Sequence, residues 1–519
     1  MSELITINQL ADRYVTELCA LSPLFASETG LEKTGKLDDY SPAGIEAMND
    51  LDRNTLAALA KVEPTNEDEW VTKAAMTERL ESALAIADDE IGALNVIASP
   101  IQDIRDSFDL MSRKTEEDWE AIAERVAAIP AAIGQYREAL SWRVGNGRPF
   151  PVRQVKNCAD QANQVATSGI LVELEEQDID TSAAKEAFAD LAKFLPTLPQ
   201  TEVDGIGAER YPAHLKYFLG SDVDIDETYD WADDQLAGII AEQEKIAADL
   251  YGPGTSVREA MDRLNADPAR QIHGRENLRT WMQETADEAV RGVSSEFDIP
   301  EDLRRIDARV LYPGTGGIYY TQPSDDLTRP GQMWWSVPEG VDTFTTWTEK
   351  TTVYHEGVPG HHLQLGLAVA NPNLNRWRRL VSWTSGFGEG WALYAERLMA
   401  DLGYLDDPAD YLGMLDAQRL RAARVRVDIG AHVKGWTADQ AWEFLTENVA
   451  MDHSFLAFEL DRYLGWPGQA PSYLIGQRLW MQERDSALER GESLRDFHSR
   501  ALALGSVGLD VLHEALSRK

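Results

Sequence analysis

Val353-Tyr354-His355-Glu356-Gly357-Val358-Pro359-Gly360-His361-His362-Leu363-Gln364 joins a His-Glu pair to a His-His pair through a Pro-Gly turn. The usual zinc-hydrolase motif, His-Glu-x-x-His on one helix, sets its histidines four apart, so both rings meet one tetrahedral ion. Here the second histidine arrives late. In an unbroken helix His361 points away from His355, and His362 lies about two turns (~10 Å) further along the axis. Pro359 has no N–H for the carbonyl of His355 and crowds that turn, while Gly360 tolerates the backbone a bulge needs. If two residues loop out, His361 returns beside His355, and helix bulges of this kind often mark functional sites. Three of the chain's nine histidines fall in this stretch, with Glu directly after the first. That pattern favours a metal site over a pair of helix-end histidines.

The 519 residues are 43% apolar, as in an ordinary globular protein, and 49 Lys+Arg against 88 Asp+Glu give a net charge of −39. Such a charge opposes nucleic acid and anionic membrane surfaces as partners. Two cysteines, Cys19 and Cys158, make neither a disulfide framework nor a cysteine zinc site and predict a reducing, cytoplasmic setting. The opening Met-Ser-Glu-Leu-Ile-Thr-Ile-Asn-Gln lacks the basic and apolar runs of a signal peptide, and no stretch has the length of a membrane helix.

Apolar residues recur at helical spacing over 4–20 (Leu4, Leu10, Tyr14, Leu18), 43–62, 67–96 and 114–142, punctuated by Pro100, Pro130 and Gly145-Asn146-Gly147. Two more helices are predicted within 154–194, and 201–220, with Gly205, Gly207 and Gly220, reads as a junction. Strand signals gather at 307–312, 317–322 and 332–337, between Pro and Gly turns. From 349 the chain is helical again. The expectation is a mainly α-helical, two-lobed body around a deep cleft, with a small antiparallel sheet near 307–337 beside the motif helix. Residues 1–519 then form one compact unit, 1–200 as scaffold and cleft wall and 201–519 as the catalytic region.

A catalytic zinc needs a third ligand and an open position. Ser385-Gly386-Phe387-Gly388-Glu389-Gly390-Trp391 offers Glu389 between glycines that admit close backbone, on a helix suited to return antiparallel to the first. Glu396, seven positions on, shares its face and is placed to hydrogen-bond a ligand histidine. Asp428 and His432 stand one helical turn apart, a pairing that can orient a histidine toward substrate. Trp466-Pro467-Gly468-Gln469-Ala470-Pro471-Ser472-Tyr473 supplies a further tyrosine. Tyr319 and Tyr320 on the predicted sheet, Gln469 and Arg478 are candidate substrate contacts. Arg424, Arg426 and Arg478 are candidate holders of a carboxylate, although helix arginines more often make surface ion pairs.

The run His355-Glu356-x-x-Pro359-Gly360-His361-His362-x-Gln364 resembles the bacterial DUF885 family and, remotely, the helical zinc peptidases of the thimet-oligopeptidase, angiotensin-converting-enzyme and Taq-type carboxypeptidase groups. Those carry His-Glu-x-Gly-His, and this chain has the same Gly-His after two extra residues. The likeness is strongest over 353–364, 385–396 and 424–478. It implies one Zn²⁺ per chain held by His355, His361 and Glu389, with His362 beside the site. It implies Glu356 as the proton acceptor, and Tyr473, with His432, as stabiliser of the oxyanion. The function so implied is hydrolysis of short peptides. Two alternatives stand beside it: a metal-dependent hydrolase of non-peptide amides or esters, and an inactive helical binding protein.

Overall fold

The structure is a computed structural model and describes residues 5–109, 111–312, 314 and 317–518. Leu4 lies outside them. The described residues are mainly helical, as the periodicity predicts. They divide into two compact units, one of residues 5–214, 430–442 and 453–467, the other of 215–429, 443–452 and 468–518. Among them, no helix is long and apolar enough to cross a membrane.

In the first unit, helix starts carry the caps their sequences announce. Asn66 accepts from the Glu69 N–H, and Thr115 forms a capping box with Asp118 at the head of Glu116–Gly145. That helix runs through Pro130 instead of stopping there. Proline removes one backbone donor, but Ile129, Ile133, Tyr136 and Leu140 on the same helix are buried, and their burial outweighs the lost bond. The core joins them to Ile101, Ile104, Phe108, Cys158, Phe188 and Leu191. The predicted junction at 201–220 holds a helix, Tyr211–Leu219, whose C-terminal neighbour Gly220 has φ +61°.

The second unit contains a three-stranded sheet in the order Ile306–Leu311, Gly331–Ser336, Ile318–Thr321. It is mixed, which corrects the antiparallel expectation. The hairpin pairs 318–321 antiparallel with 331–336, while 306–311 runs parallel to 331–336. The reason is burial: 331–336 is the most enclosed strand and takes the centre. Met333 and Trp335 from it, Ile306 and Ala308 from its neighbour, Leu278 and Met282 from helix Arg275–Gly292, and Val353 from the motif helix form one core. A second pairing, Gln271–His273 with Thr343–Thr345, was not legible in the sequence.

The helix Ser385–Asp401, which carries Glu389, crosses helix Ser472–Glu489 at backbone contact. A Cβ on Gly390 would stand 2.4 Å from the Gly476 carbonyl carbon, and one on Gly476 would stand 2.2 Å from the Gly386 oxygen. Neither partner is a flexible side chain. Gly476→Ala is therefore expected to force the helices apart and cost roughly 1–3 kcal/mol. Denaturant unfolding would show it, and an unchanged midpoint would mean that the crossing is not close-packed.

Candidate metal centre

The motif helix, Thr346–Glu356, ends where the Pro-Gly signal predicts, and a second helix, His361–Ala370, begins after four residues. The chain is not a two-residue bulge within one continuous helix. It is a break, with a cis Val358–Pro359 peptide, in which the Gly360 N–H donates to the Tyr354 carbonyl and the His362 N–H to that of Gly357. A Cβ at Gly360 would lie 1.9 Å from the His355 oxygen, so only glycine fits the fold-back. Trp391, fully buried, donates its indole N–H to the Pro359 carbonyl at 2.9 Å and pins the turn to the Glu389 helix. The outcome is the one the spacing required: the rings of His355 and His361 stand perpendicular, centroids 4.9 Å apart.

Glu389 faces both. Its Oε2 lies 3.3 Å from His355 Nε2 and 3.5 Å from His361 Nε2, and the three atoms fall within 4.8 Å of one another. Four ligands around a zinc with bonds of about 2.0–2.2 Å sit roughly 3.3–3.6 Å apart, so the residues present fit the ion. His355 and His361 are 4% and 6% exposed, and Glu389 Oε2 is buried with only the two long ion-pair contacts to them. Such a set is costly unless something joins it.

Glu396 shares the face of Glu389, as the seven-residue spacing predicts. Its Oε1 accepts from His355 Nδ1 and its Oε2 from the Thr351 hydroxyl, each at 2.8 Å. With Nδ1–H donating there, Nε2 is the His355 nitrogen that faces Glu389 and is left to take a proton or a metal. Thr351, one turn before His355, was missed in the sequence because an isolated threonine on a helix carries no signal. Burial works against charging His355, but Glu389 and Glu396 outweigh it and lift its pKa to about 10. Burial would likewise raise Glu389, yet the two histidines hold it well below the usual carboxylate range. Such reciprocal shifts mean that the centre favours a cation, proton or metal.

Glu356 is 6% exposed and lies outside the three-residue set. Burial raises its pKa, and the nearby His355, His361 and Arg421 charges oppose the rise.

His362 turns to the sheet instead of the centre. Its Nε2 donates to the Leu303 carbonyl at 2.8 Å, so its Nδ1 accepts from the Tyr320 hydroxyl at 2.9 Å. It is fully buried, and burial pushes its pKa down to about 4. Gly331 leaves the room: a Cβ there would stand 1.9 Å from the Tyr320 oxygen. Tyr320 is thereby committed to His362, which corrects its reading as a substrate contact. Tyr319 is half-buried and stacks on its cross-strand partner Trp334, centroids 6.1 Å apart.

The remaining candidates separate. Tyr473 opens helix Ser472–Glu489 with the guanidinium carbons of Arg424 and Arg421 4.9 and 6.0 Å from its ring centre. Gln469 is buried just before helix Ser472–Glu489, with its side chain beside Ser385, the first residue of the Glu389 helix. Its carbonyl accepts from Ser472 Oγ, which in turn bonds Ser385 Oγ. Asp428 accepts from the Gly468 N–H at 3.0 Å. His432 belongs to the first unit, where Nε2 donates to the Tyr463 carbonyl, Nδ1 accepts from the Ile206 N–H, and the ring stacks on Tyr211. With both nitrogens on backbone groups, His432 has no donor left for an oxyanion. Arg478 is engaged as well, gripping Glu227 with bonds of 2.8 and 2.9 Å and stacking on Trp231. Arg426 pairs with Asp233. One aromatic escaped the sequence reading. Trp383 is 42% exposed, packs over Gly388 and lies 6.1 Å from the His361 ring.

Fold and site together define a mainly helical protein with a candidate His-His-Glu metal centre. The chain belongs to the DUF885 family, described as bacterial proteins of unknown function, whose model matches residues 23–516. It is similar in fold to the crystal structure of a candidate lipoprotein from Colwellia psychrerythraea (TM-score 0.85, 23% identity, 98% of each chain covered). It is similar also to a candidate lipoprotein of unknown function from Shewanella oneidensis (TM-score 0.74, 19% identity, 99% of this chain and 100% of that one). No curated protein matches it.

Proposed function

We propose that this protein is a zinc-dependent metallopeptidase acting on short peptides. The observation that carries the reading is the convergence of His355 Nε2, His361 Nε2 and Glu389 Oε2, with Glu396 fixing the His355 tautomer. These three residues would hold one Zn²⁺. When bound, the ion supplies a Lewis acid that polarises a carbonyl and lowers the pKa of water toward about 7. Glu356, adjacent but outside the ligand set, takes a proton from the attacking water and gives it to the leaving amine. Tyr473 donates its hydroxyl to the developing oxyanion. The near-complete burial of the histidines favours flexible peptides over folded proteins.

A panel of tri- to octapeptides, run beside simple amides and esters, tests this. The expected result is peptide cleavage that a chelator abolishes and added zinc restores. Turnover of the amides or esters alone would replace the peptidase reading with a non-peptide hydrolase, and no turnover at full zinc occupancy would support a binding protein. For location we propose the cytoplasm, on two buried cysteines that form no disulfide. The lipoprotein descriptions of the Colwellia and Shewanella neighbours favour the cell envelope instead, and fractionation decides between them.

A further inference from the structure

We propose that Trp383 sets a side-chain preference: its indole takes an aromatic side chain from the substrate residue that adjoins the bond cut at the centre. The proposal rests on the peptidase reading above and adds a specificity to it.

Trp383 is a large apolar residue left in water between two neighbours that are not. Ser382 and Thr384 are both buried, and both bond Ser506. The Ser382 hydroxyl donates to the Ser506 carbonyl, and the Thr384 N–H donates to the Ser506 hydroxyl at 3.1 Å. The backbone is thereby clamped on either side of Trp383, and the indole is held out in one place. Its six-membered ring lies on Gly388. A Cβ there would stand 2.2 Å from Cη2 and 2.6 Å from Cζ3, so the glycine that precedes Glu389 is the bed on which the ring rests. The indole also meets His361, whose ring is tilted by 55° to it. Trp383 therefore borders the centre on the side of His361 and the Glu389 helix.

Single apolar residues on a surface are ordinary. This one differs in being fixed by its neighbours, bedded on a glycine and set against a candidate ligand. With an ion about 2 Å from His361 Nε2, the indole stands within about 10 Å of it. That is the reach of the side chain next to a bond hydrolysed there. Covering the indole recovers the free energy of its exposed apolar surface. A second ring, stacked or edge-on, adds to that gain, because aromatic pairs are worth more than their buried area alone. The clamp means that little order has to be imposed when the side chain arrives.

The test gives the zinc-loaded, full-length protein alanine tetrapeptides that carry Phe or Leu at each position in turn, with the cleaved bond located by mass spectrometry. Phe beside the cleaved bond is expected to raise kcat/KM roughly 10–100-fold over Ala, the scale of burying one aromatic side chain, and Leu to raise it less. Trp383→Ala should bring the Phe-to-Ala ratio close to one, and Trp383→Phe should keep part of it. Gly388→Ala keeps the indole but lifts it from its bed, and should lower the ratio too. Zinc content and unfolding midpoints show that each variant is folded and loaded; where one is not, the wild-type ratio and the other variants decide. Phe peptides cleaved no faster than Leu or Ala peptides by the wild type, or a preference that survives Trp383→Ala, overturn the proposal and leave the peptidase reading intact. If no peptide is cleaved, the peptidase reading fails, and calorimetry with phenylalanine and alanine hydroxamates decides the subsite, since a hydroxamate on the metal sets its side chain beside it. Tighter binding of the phenylalanine compound, lost in Trp383→Ala, supports the proposal; equal or absent binding overturns it.

Discussion

Glu356→Gln is expected to keep its zinc and lose at least about 100-fold in kcat on a verified peptide, the usual scale of general acid–base catalysis. Glu356 follows His355 directly, so its side chain leaves the helix about 100° away from the ligand ring. The structure keeps it outside the set of three converging atoms, yet within the influence of both histidine charges. Glutamine preserves size and shape but cannot accept a proton, so the substitution separates holding the metal from moving the proton. The loss should fall on kcat, because the glutamate acts as bonds break rather than as substrate docks. Loss of zinc in Glu356→Gln would make Glu356 a ligand. An unchanged kcat would put the base elsewhere.

The second large effect is on metal retention. His355→Ala, His361→Ala and Glu389→Ala should each weaken zinc binding by more than about 100-fold, beyond the 10–100-fold typical of losing a residue that only supports a ligand. Glu396→Gln belongs to that smaller class, since Glu396 acts through His355 Nδ1. His362→Ala should behave differently again. Both of its ring nitrogens are bound, so its removal leaves the Leu303 carbonyl and the Tyr320 hydroxyl buried without partners. That costs stability, roughly 1–3 kcal/mol for each such group, while zinc content stays near that of the wild type. Zinc content and unfolding midpoints across the series distinguish the two behaviours. A His362→Ala protein that is stable and empty, beside a metal-replete His361→Ala, would reverse the ligand assignment.

Most of the centre was legible because its determinants are local. Pro359 and Gly360 announce the break by what they cannot do, and the spacing of Glu389 and Glu396 puts both on one helix face whatever the rest of the chain does. The size of the break was not legible. Four residues leave the helix rather than two, through backbone bonds at Tyr354 and Gly357 that no side chain signals. His432 shows the converse failure. Its one-turn spacing from Asp428 is real, but the Tyr463 carbonyl and the Gly468 N–H, distant in sequence, take their polar atoms. Arg478 was lost in the same way to Glu227. Tyr320 reads as an open strand residue until His362 is brought against it. In the fold, helical periodicity carried through, and a proline inside a well-buried helix did not end it. Which strand took the centre of the sheet depended on packing from helix Arg275–Gly292, which strand propensity does not encode.

Anomalous diffraction at the zinc edge, on crystals grown with zinc, tests the central claim most directly. The account predicts one peak per chain, about 2.0–2.2 Å from His355 Nε2, His361 Nε2 and a Glu389 oxygen. A zinc-replete crystal with no peak among these atoms, or with its peak on His362, would contradict it.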